Sequence, residues 1–275
     1  MVCPSCGSLV GVRDDKCYMC GRANPSLWGF APVLRRLGAD LGFVPLVVGA
    51  SVVLYALTLL ASGQGLQVMG GGMSILAPSG ESLFLFGSSG AVPVFLYGRW
   101  WTVLSATWLH GGLLHILFNM MWVRDIGPSA ADIVGPGRTV IIYVVSGVCG
   151  FLFSSVAGWY VPLPFLSGAS YTVGASASIF GLLGALVHYG RKSGSSLIHG
   201  QAKQWALIMF IYGLIMPGID NYAHAGGFLG GYAVSAFFNP LTKERGDHVL
   251  IAVVCLLATF VAIVASLYKG LSLVA

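Results

Sequence analysis

A serine and a histidine with the chemistry of a nucleophile and its base lie inside apolar segments of this chain. Ser176 belongs to the run GASA at 174–177, and His224 belongs to the run AHAGG at 223–227. A polar side chain inside a bilayer is costly unless it has a partner, so a hydroxyl and an imidazole at matching depths suggest each other. The pattern therefore indicates a serine nucleophile activated by a histidine base within a membrane.

The surrounding segments place these two side chains at the same estimated depth. Each lies about 14 residues before the inner end of its predicted span, or roughly 21 Å up in a hydrocarbon core about 30 Å thick. Small residues on both segments would let the two backbones approach closely. They are Gly174, Ala177, Gly181 and Gly184 on the first segment and Gly226, Gly227, Gly230 and Gly231 on the second. We therefore expect Ser176 and His224 to meet.

Three more polar residues precede this pair in another apolar segment. His115 and Asn119 are four residues apart, so they lie on one face of a predicted helix, and His110 lies near its start. A lone histidine in a membrane span is more often a packing residue or part of a proton path. Here, however, an acyl-transfer site needs donors for its oxyanion. His115, Asn119 and the backbone N–H of Ser176 at a helix N-terminus would supply them.

The acidic residues exclude two other kinds of membrane hydrolase. None of them falls in the middle of a predicted span, which excludes a two-aspartate protease; they are Asp14, Asp15, Asp40, Glu81, Asp125, Asp132, Asp220, Glu244 and Asp247. No histidine is followed by glutamate, so the HExxH motif of zinc proteases is missing. Because no carboxylate is buried beside His224, a Ser–His dyad is expected rather than a triad.

The elements that must position these residues are membrane helices. The chain of 275 residues is 56% apolar and 8% charged, and its mean hydropathy of +0.84 is far from that of soluble proteins. Apolar runs predict an all-α polytopic membrane protein with six core spans and a C-terminal seventh. The predicted spans cover roughly 41–61, 104–123, 139–158, 173–190, 204–216, 222–238 and 249–268.

The positions of the basic residues predict the orientation of these spans. With the N-terminus inside, twelve of the fourteen Lys and Arg residues fall in cytoplasmic segments, and only Arg99 and Lys269 fall outside. We therefore expect a multi-pass protein of the plasma or inner membrane, with a cytoplasmic N-terminus and an extracytoplasmic C-terminus. The net charge of +5 then reflects topology and not nucleic-acid binding. No cleavable signal peptide is expected, because the N-terminus opens with cysteines and charges.

Four cysteines near the N-terminus form two CxxC pairs, each followed by glycine. Cys3, Cys6, Cys17 and Cys20 have the spacing of a zinc ribbon, and a segment this short has no core to fold it otherwise. Disulfides are disfavoured on the cytoplasmic side, whereas iron in a rubredoxin-like site stays open on the ligands alone. We expect a structural zinc here, no cofactor for catalysis, and a cytoplasmic protein partner for the ribbon.

These features divide the chain into four parts. The predicted parts are a zinc ribbon at 1–24, a linker at 25–40, a catalytic membrane domain at 41–240 and an additional C-terminal transmembrane helix at 241–275. We expect Trp28, Phe30, Arg35 and Arg36 of the linker to lie near the inner headgroups. The long outside connection at 62–98, with Gly70–Gly72 and two apolar patches, is expected either to be partly sunk in the outer leaflet or to form a flexible surface loop.

Residues 41–240 resemble a rhomboid intramembrane serine protease. The resemblance is carried by HGGLLH at 110–115, Asn119, GAS at 174–176, and AHAGG at 223–227 with Gly231. It implies that Ser176 is the nucleophile, His224 the general base, and His115 and Asn119 the side chains of the oxyanion hole. It also implies that Phe180, one turn after Ser176, packs on the catalytic imidazole.

Three positions depart from the pattern of that family. Arg99-Trp100-Trp101-Thr102 stands where the outside loop often has Glu-x-Trp-Arg, which puts the usual charge pairing of that loop in doubt. Ala177 follows the nucleophile where glycine is common, and Asp132 stands where glutamate is usual. These departures concern the loop and the shape of the pocket, whereas the proposed dyad is untouched.

The expected function is hydrolysis of peptide bonds in or near the transmembrane segments of membrane-protein substrates, toward their outer ends. Because a helix must unwind to expose its carbonyl, segments with Gly, Ala or Pro are the expected targets. The partners expected are such substrates and the lipid bilayer, with no nucleic acid. One alternative is a catalytically inactive rhomboid-like protein that binds membrane clients. A second is a transporter with His110, His115 and His224 as a proton relay, which would need inward acids or an internal repeat.

Overall fold

The computed structural model describes residues 2–11, 14–25, 40–63, 75–161 and 168–274. The chain separates into two compact units, residues 1–43 and residues 44–275. Nearly all of the predicted linker, including Trp28, Phe30, Arg35 and Arg36, lies outside the described residues, as does the run Gly70–Gly72. The four-part division of the chain stays a prediction.

The first unit contains two similar turns, each closed by a short antiparallel bridge. Val2 bridges to Leu9 in the first turn, and Lys16 bridges to Ala23 in the second. The glycine after each CxxC pair, Gly7 in one turn, has a left-handed backbone with φ near +72°, which only glycine adopts at little cost. These glycines let the chain turn back sharply after the second cysteine of each pair.

The second unit is built from helices, and no extended strand occurs among the described residues. Seven of its helices have at least 18 residues. The α-helices are α1 (Phe43–Ala61), α2 (Gly80–Phe86), α3 (Thr102–Ser105), α4 (Leu113–Val134), α5 (Pro136–Tyr160), α6 (Ser176–Ser193), α7 (Ser196–Ile215), α8 (Asn221–Phe238) and α9 (Gly246–Val274). A π-helical turn (Val92–Leu96) and a 3-10 turn (Ala106–Trp108) flank α3.

Three of the long helices are apolar enough along their length to cross a membrane by composition alone. They are α1, α5 and residues Gly246–Ser272 of α9, with mean hydropathies of 2.3, 2.2 and 2.9. The other four long helices are less apolar because glycines and polar residues interrupt them. In α6 and α8 those residues are largely buried against neighbouring helices. The chain is therefore an all-α polytopic membrane protein, as its composition predicts.

Helix α6 lies at the centre of the bundle, between α5 and α8. The small-residue stripes predicted from the sequence are the surfaces through which these helices meet. A Cβ at Gly227 would collide with the carbonyl of Ala177, and one at Gly231 would collide with the carbonyl of Gly181. A Cβ at Gly181 would collide with Ser146 of α5 and would also lie 3.2 Å from the carbonyl oxygen of Gly227 on α8. Glycine at these positions therefore lets the backbones of α6 and α8 come into direct contact.

The ends of α6 and α8 are defined by local sequence. Helix α6 ends at Gly194, which has a left-handed φ of +76°, after the basic pair Arg191 and Lys192 in its last turn. Helix α8 begins after Asp220, whose carboxylate accepts the backbone N–H of Ala223. Because the single helix α7 joins them, α6 and α8 run in the same direction, and their N-terminal ends lie side by side.

Several predicted boundaries were wrong. Helix α4 begins at Leu113 rather than at 104, because residues 102–108 form two separate short turns before Gly111 and Gly112. It then continues to Val134 through Pro128, which removes one helical hydrogen bond and crowds the carbonyl four residues before it. Helix α7 begins at Ser196 rather than at 204, because the hydroxyl of Ser195 accepts the N–H of Ile198 and caps the helix. The predicted outside connection at 62–98 contains α2 and the π-helical turn.

Arg99 is buried between α2 and α9, with 2% of its surface exposed. Its guanidinium donates to the carbonyl of Phe84 at 2.7 Å and to the carbonyl of Ser266 at 2.9 Å. It also lies over the ring of Phe84, 4.3 Å from the centroid. Arg99 is the first residue of the run 99–102 that departs from the Glu-x-Trp-Arg pattern. Here it is a buried cation stabilised by backbone carbonyls and an aromatic ring.

Candidate active site

The side chains of Ser176 and His224 are in hydrogen-bond contact. The Ser176 Oγ lies 2.9 Å from the His224 Nε2, at the N-terminal ends of α6 and α8. The two residues are 48 positions apart in the sequence, and the close crossing of these helices brings them together. His224 is almost completely buried, with 5% of its surface exposed, so the imidazole has little freedom to turn away from the hydroxyl.

Phe180 stacks on the imidazole of His224. The ring centroids are 4.2 Å apart and the rings are inclined by only 15°. Phe180 is itself 2% exposed, because it follows Ser176 by one turn on the inner face of α6. The stacked ring limits rotation of the imidazole and leaves the ring edge, with its two nitrogens, free to form hydrogen bonds.

The second ring nitrogen of His224 contacts Asn221, a residue that the sequence reasoning missed. The His224 Nδ1 lies 3.1 Å from the Asn221 Oδ1. Asp220, the acid just before it, points elsewhere: its carboxylate accepts from the Ala223 N–H at 3.0 Å and from the Ser154 hydroxyl at 2.5 Å. The sequence search considered only carboxylates as partners of the histidine. An asparagine three residues before it, one helical turn away, was the available signal.

His115 and Asn119 lie on the first turns of α4. The backbone N–H of Gly111 donates to the His115 Nδ1 at 3.3 Å, so the ring proton of a neutral His115 resides on Nε2. That nitrogen points toward Gly174, where an added Cβ would lie 2.6 Å from it. Asn119 donates one amide N–H to the carbonyl of His115 at 2.8 Å, and the amide has a second N–H to offer.

Gly174 makes this approach possible. Its backbone has a φ of +128°, a conformation that a residue with a side chain rarely adopts. Its N–H donates to the carbonyl of Ala106 at 3.0 Å, which fixes the turn that leads into α6. A side chain at this position would displace the His115 ring.

His110 is fully buried behind His115. The two rings meet edge to face, with centroids 5.3 Å apart. His110 therefore packs against the His115 ring.

A cavity of about 1740 Å³ contains Ser176, His224, His115 and Asn119 in its wall. Most of the rest of its wall comes from α2, α4, α5, the segment 168–173, the second half of α7, residues 217–225 and one residue of α9. This volume exceeds the roughly 300–1000 Å³ that is typical of small-molecule sites. The space is therefore large enough to admit a stretch of polypeptide.

The four N-terminal cysteines form a cluster of free thiols in the first unit. Their Sγ atoms all lie within 4.8 Å of one another, with Cys3 to Cys20 at 3.8 Å and Cys6 to Cys17 at 3.6 Å. Four sulfurs around a zinc ion with Zn–S bonds of about 2.3 Å are roughly 3.8 Å apart. The cluster therefore has the dimensions of a tetrahedral metal site.

The pKa values of two of these thiols are lowered. Hydrogen bonds from the side chain and then the backbone of Ser8 lower the pKa of Cys6 to about 6, and backbone hydrogen bonding at Ser5 lowers the pKa of Cys3. Although a backbone hydrogen bond at Arg22 lowers it, contact with Cys6 and burial raise the pKa of Cys20 to about 12. The thiolate is the form that binds a metal. Zinc and iron share this ligand set, so the cluster identifies a metal site without identifying the metal.

Comparison with known proteins places these residues in a family. The sequence pattern of the Rhomboid domain matches residues 97–241. This segment runs from just after the π-helical turn to just past the end of α8. It includes Ser176, His224, His115 and Asn119.

Among curated proteins, the chain is similar to Rhomboid protease GluP of Bacillus subtilis (strain 168). The two are 30% identical over 195 residues, which are 70% of this chain and 36% of that protein. RHOMBOID-like protein 7 of Arabidopsis thaliana is 34% identical over 168 residues, covering 58% of this chain and 49% of that protein. Inactive RHOMBOID-like protein 8 of Arabidopsis thaliana is 30% identical over 134 residues, covering 47% of this chain and 35% of that protein.

The chain spans between about a third and a half of the length of these relatives. The domain match, in contrast, covers more than half of the chain itself. It includes the helices that carry Ser176 and the buried His224. The chain therefore belongs to the rhomboid family.

Proposed function

We propose that this chain is an intramembrane serine endopeptidase that hydrolyses peptide bonds in or near the transmembrane segments of membrane-protein substrates. The observation that carries the proposal is the 2.9 Å contact between the Ser176 Oγ and the His224 Nε2. It lies in the wall of a cavity of polypeptide dimensions. A hydroxyl hydrogen-bonded to a buried imidazole is an activated nucleophile.

The first half of the reaction forms an acyl-enzyme. The Nε2 of His224 takes the proton from the Ser176 hydroxyl as Oγ attacks the substrate carbonyl carbon, and the carbonyl electrons move to its oxygen. When the tetrahedral intermediate collapses, the imidazolium gives that proton to the leaving amine and the peptide bond breaks.

The second half of the reaction hydrolyses the acyl-enzyme. Water attacks the ester carbonyl while His224 accepts a proton from the water. The imidazolium then returns a proton to the Ser176 oxygen, and the carboxylic product leaves.

Three donors are available for the oxyanion. We assign this role to the Nε2–H of His115, the second amide N–H of Asn119 and the backbone N–H of Ser176. The first N–H groups of a helix have no partner within it, and the positive end of the α6 dipole favours a developing negative charge. Because these donors are held before the substrate arrives, they cost no reorganisation in the transition state.

The substrate proposed is a transmembrane segment that unwinds near its outer end. A helical segment hides its carbonyls in hydrogen bonds, so attack by Ser176 requires local unwinding, and Gly, Ala or Pro in the segment lowers the cost. Helix α7, which lines one side of the cavity, buries only Ala202, Ala206 and Gly213 among its described residues. The partial or full exposure of its other side chains supports lateral entry of the substrate along α7.

For the N-terminal unit we propose a cytoplasmic zinc ribbon that recruits a protein partner. The dimensions of the cysteine cluster and the lowered pKa of Cys6 support a bound zinc. The distribution of basic residues supports a cytoplasmic N-terminus and an extracytoplasmic C-terminus in a plasma or inner membrane.

The second candidate function is client binding without catalysis. One relative bears the name Inactive RHOMBOID-like protein 8, so the family includes a protein described as inactive. The contact between Ser176 and His224 favours the enzyme over this alternative, because client binding does not need it.

The deciding experiment incubates the purified full chain in detergent with a labelled transmembrane peptide. The wild-type chain should cleave the peptide, whereas Ser176→Ala and His224→Ala should each abolish cleavage. The double variant should be no worse than either single one, because the two residues act as a unit. Wild-type turnover in either variant, or no cleavage by a folded wild-type chain, would contradict the proposal.

A further inference from the structure

The carboxamide of Asn221 lies between the imidazole of His224 and the backbone of α7. Its Nδ2 donates to the carbonyl of Phe210 at 3.3 Å, and its Oδ1 lies 3.1 Å from the His224 Nδ1. A carbonyl oxygen only accepts, so the contact with Phe210 requires the amide nitrogen on that side. The orientation of the amide is therefore determined by its neighbours, and its oxygen must face His224.

This orientation determines which nitrogen of the imidazole carries the proton. The Asn221 Oδ1 can only accept, so a neutral His224 that bonds to it must carry its proton on Nδ1. The Nε2 then has a free lone pair directed at the Ser176 Oγ, 2.9 Å away. The opposite tautomer would direct an N–H at the hydroxyl and could not accept its proton.

We propose that Asn221 is a positioning residue that holds His224 in the tautomer and orientation required to deprotonate Ser176. The inference rests on the proposed serine protease activity and adds a third member to the dyad. A soluble triad uses a carboxylate in this position. In an apolar bundle, the amide supplies the same acceptor without burying a charge.

Helix α7 holds the carboxamide in place. A Cβ at Gly213 would collide with the Asn221 Oδ1, and it would lie 2.9 Å from the Ile219 Cγ2. The amide therefore rests directly on the backbone of α7 at Phe210 and Gly213. A methyl group added at Gly213 should push the amide away from His224 while residue 221 itself stays unchanged.

The kinetic experiment compares variants of the purified full chain on a labelled transmembrane peptide. Asn221→Ala should lower kcat about tenfold with little change in KM, the order expected for the loss of one hydrogen bond to a catalytic base. Asn221→Asp keeps an acceptor for Nδ1 and should retain more activity than Asn221→Ala. Gly213→Ala should lower kcat in the same way, whereas Gly200→Ala, where an added Cβ meets nothing within 4 Å, should match the wild-type chain.

A spectroscopic measurement tests the tautomer without relying on activity. In the ¹⁵N NMR spectrum of histidine-labelled protein in micelles, with the His224 signals assigned from the His224→Ala variant, the Nδ1 of the wild-type chain should be protonated. Asn221→Ala should shift population toward the Nε2-protonated form. A wild-type His224 protonated on Nε2, or an Asn221→Ala variant with unchanged tautomer and kcat, would overturn the proposal. A correct tautomer in a chain that cleaves nothing would refute the protease function and leave the role of Asn221 in setting the tautomer intact.

Discussion

Phe180 and His224 lie face to face, with ring centroids 4.2 Å apart and an inclination of 15°. Phe180→Leu should keep most of the core of α6 filled, since it leaves a much smaller void than truncation to alanine, which costs about 3–5 kcal/mol for a buried Phe. It removes the flat surface that orients the imidazole, so kcat should fall several-fold while KM stays near its wild-type value. Steady-state cleavage of a labelled transmembrane peptide measures both constants.

Leu183→Met, another buried change on α6, serves as the control and should leave kcat unchanged. An equal loss of kcat in both variants would mean that Phe180 acts through general packing.

Asn119 offers a second test of the site, because its second amide N–H is assigned to the oxyanion. Removing one oxyanion donor typically costs roughly 10²–10³ in kcat, so Asn119→Ala should retain residual cleavage with little change in KM. Single-turnover rates of peptide cleavage give the comparison. A change confined to KM would instead identify Asn119 as a substrate-binding or packing residue.

Arg99 should contribute to stability rather than to chemistry. Arg99→Met leaves the carbonyls of Phe84 and Ser266 without their donor in a buried setting, and we expect a loss of about 2–4 kcal/mol. The thermal unfolding midpoint in detergent measures the effect. Lys203→Met, at an exposed position of α7, should leave the midpoint nearly unchanged, and an equal midpoint for both variants would argue against a structural role for Arg99.

The cysteine cluster predicts about one zinc per chain, the ratio for a four-ligand structural site. Metal analysis of the purified protein should give that ratio, and Cys6→Ser should lower it. Deletion of residues 1–24 should leave cleavage of a model peptide in detergent nearly unchanged, because the site residues all lie in the second unit. If the deletion abolished cleavage while the helices stayed folded, the ribbon would take part in the activity. Iron in place of zinc would correct the metal and leave the ligand set as it is.

The parts of the molecule that the sequence predicted are those encoded over short distances. Apolar runs predicted seven membrane helices, and the two stripes of small residues predicted that α6 and α8 touch. The meeting of Ser176 and His224 follows from those stripes, because each residue lies near the N-terminal end of its helix. The two CxxC pairs likewise carry their own geometry, since the glycine after each pair permits a left-handed turn.

Contacts that depend on side-chain orientation were not predictable in this way. The amide of Asn221 reaches His224 only because Phe210 and Gly213 of another helix fix it, and nothing in the run DNYAH shows that support. Arg99 was equally hidden: its acceptors are main-chain carbonyls, which every residue has, so the sequence cannot single out Phe84 and Ser266. The start of α4 was predicted too early because apolar composition does not distinguish a span from the short turns before it.

The bond from Arg99 to the carbonyl of Ser266 joins positions 167 residues apart, and it implies an order of events during biosynthesis. The ribosome synthesises α9 after every residue of the active site. In a nascent chain that is arrested before residue 246, the guanidinium of Arg99 therefore lacks one of its two acceptors. The helices of such a chain should be less stable until α9 inserts and supplies the missing acceptor. Limited proteolysis of arrested chains reports this maturation, and equal resistance with and without α9 would rule it out.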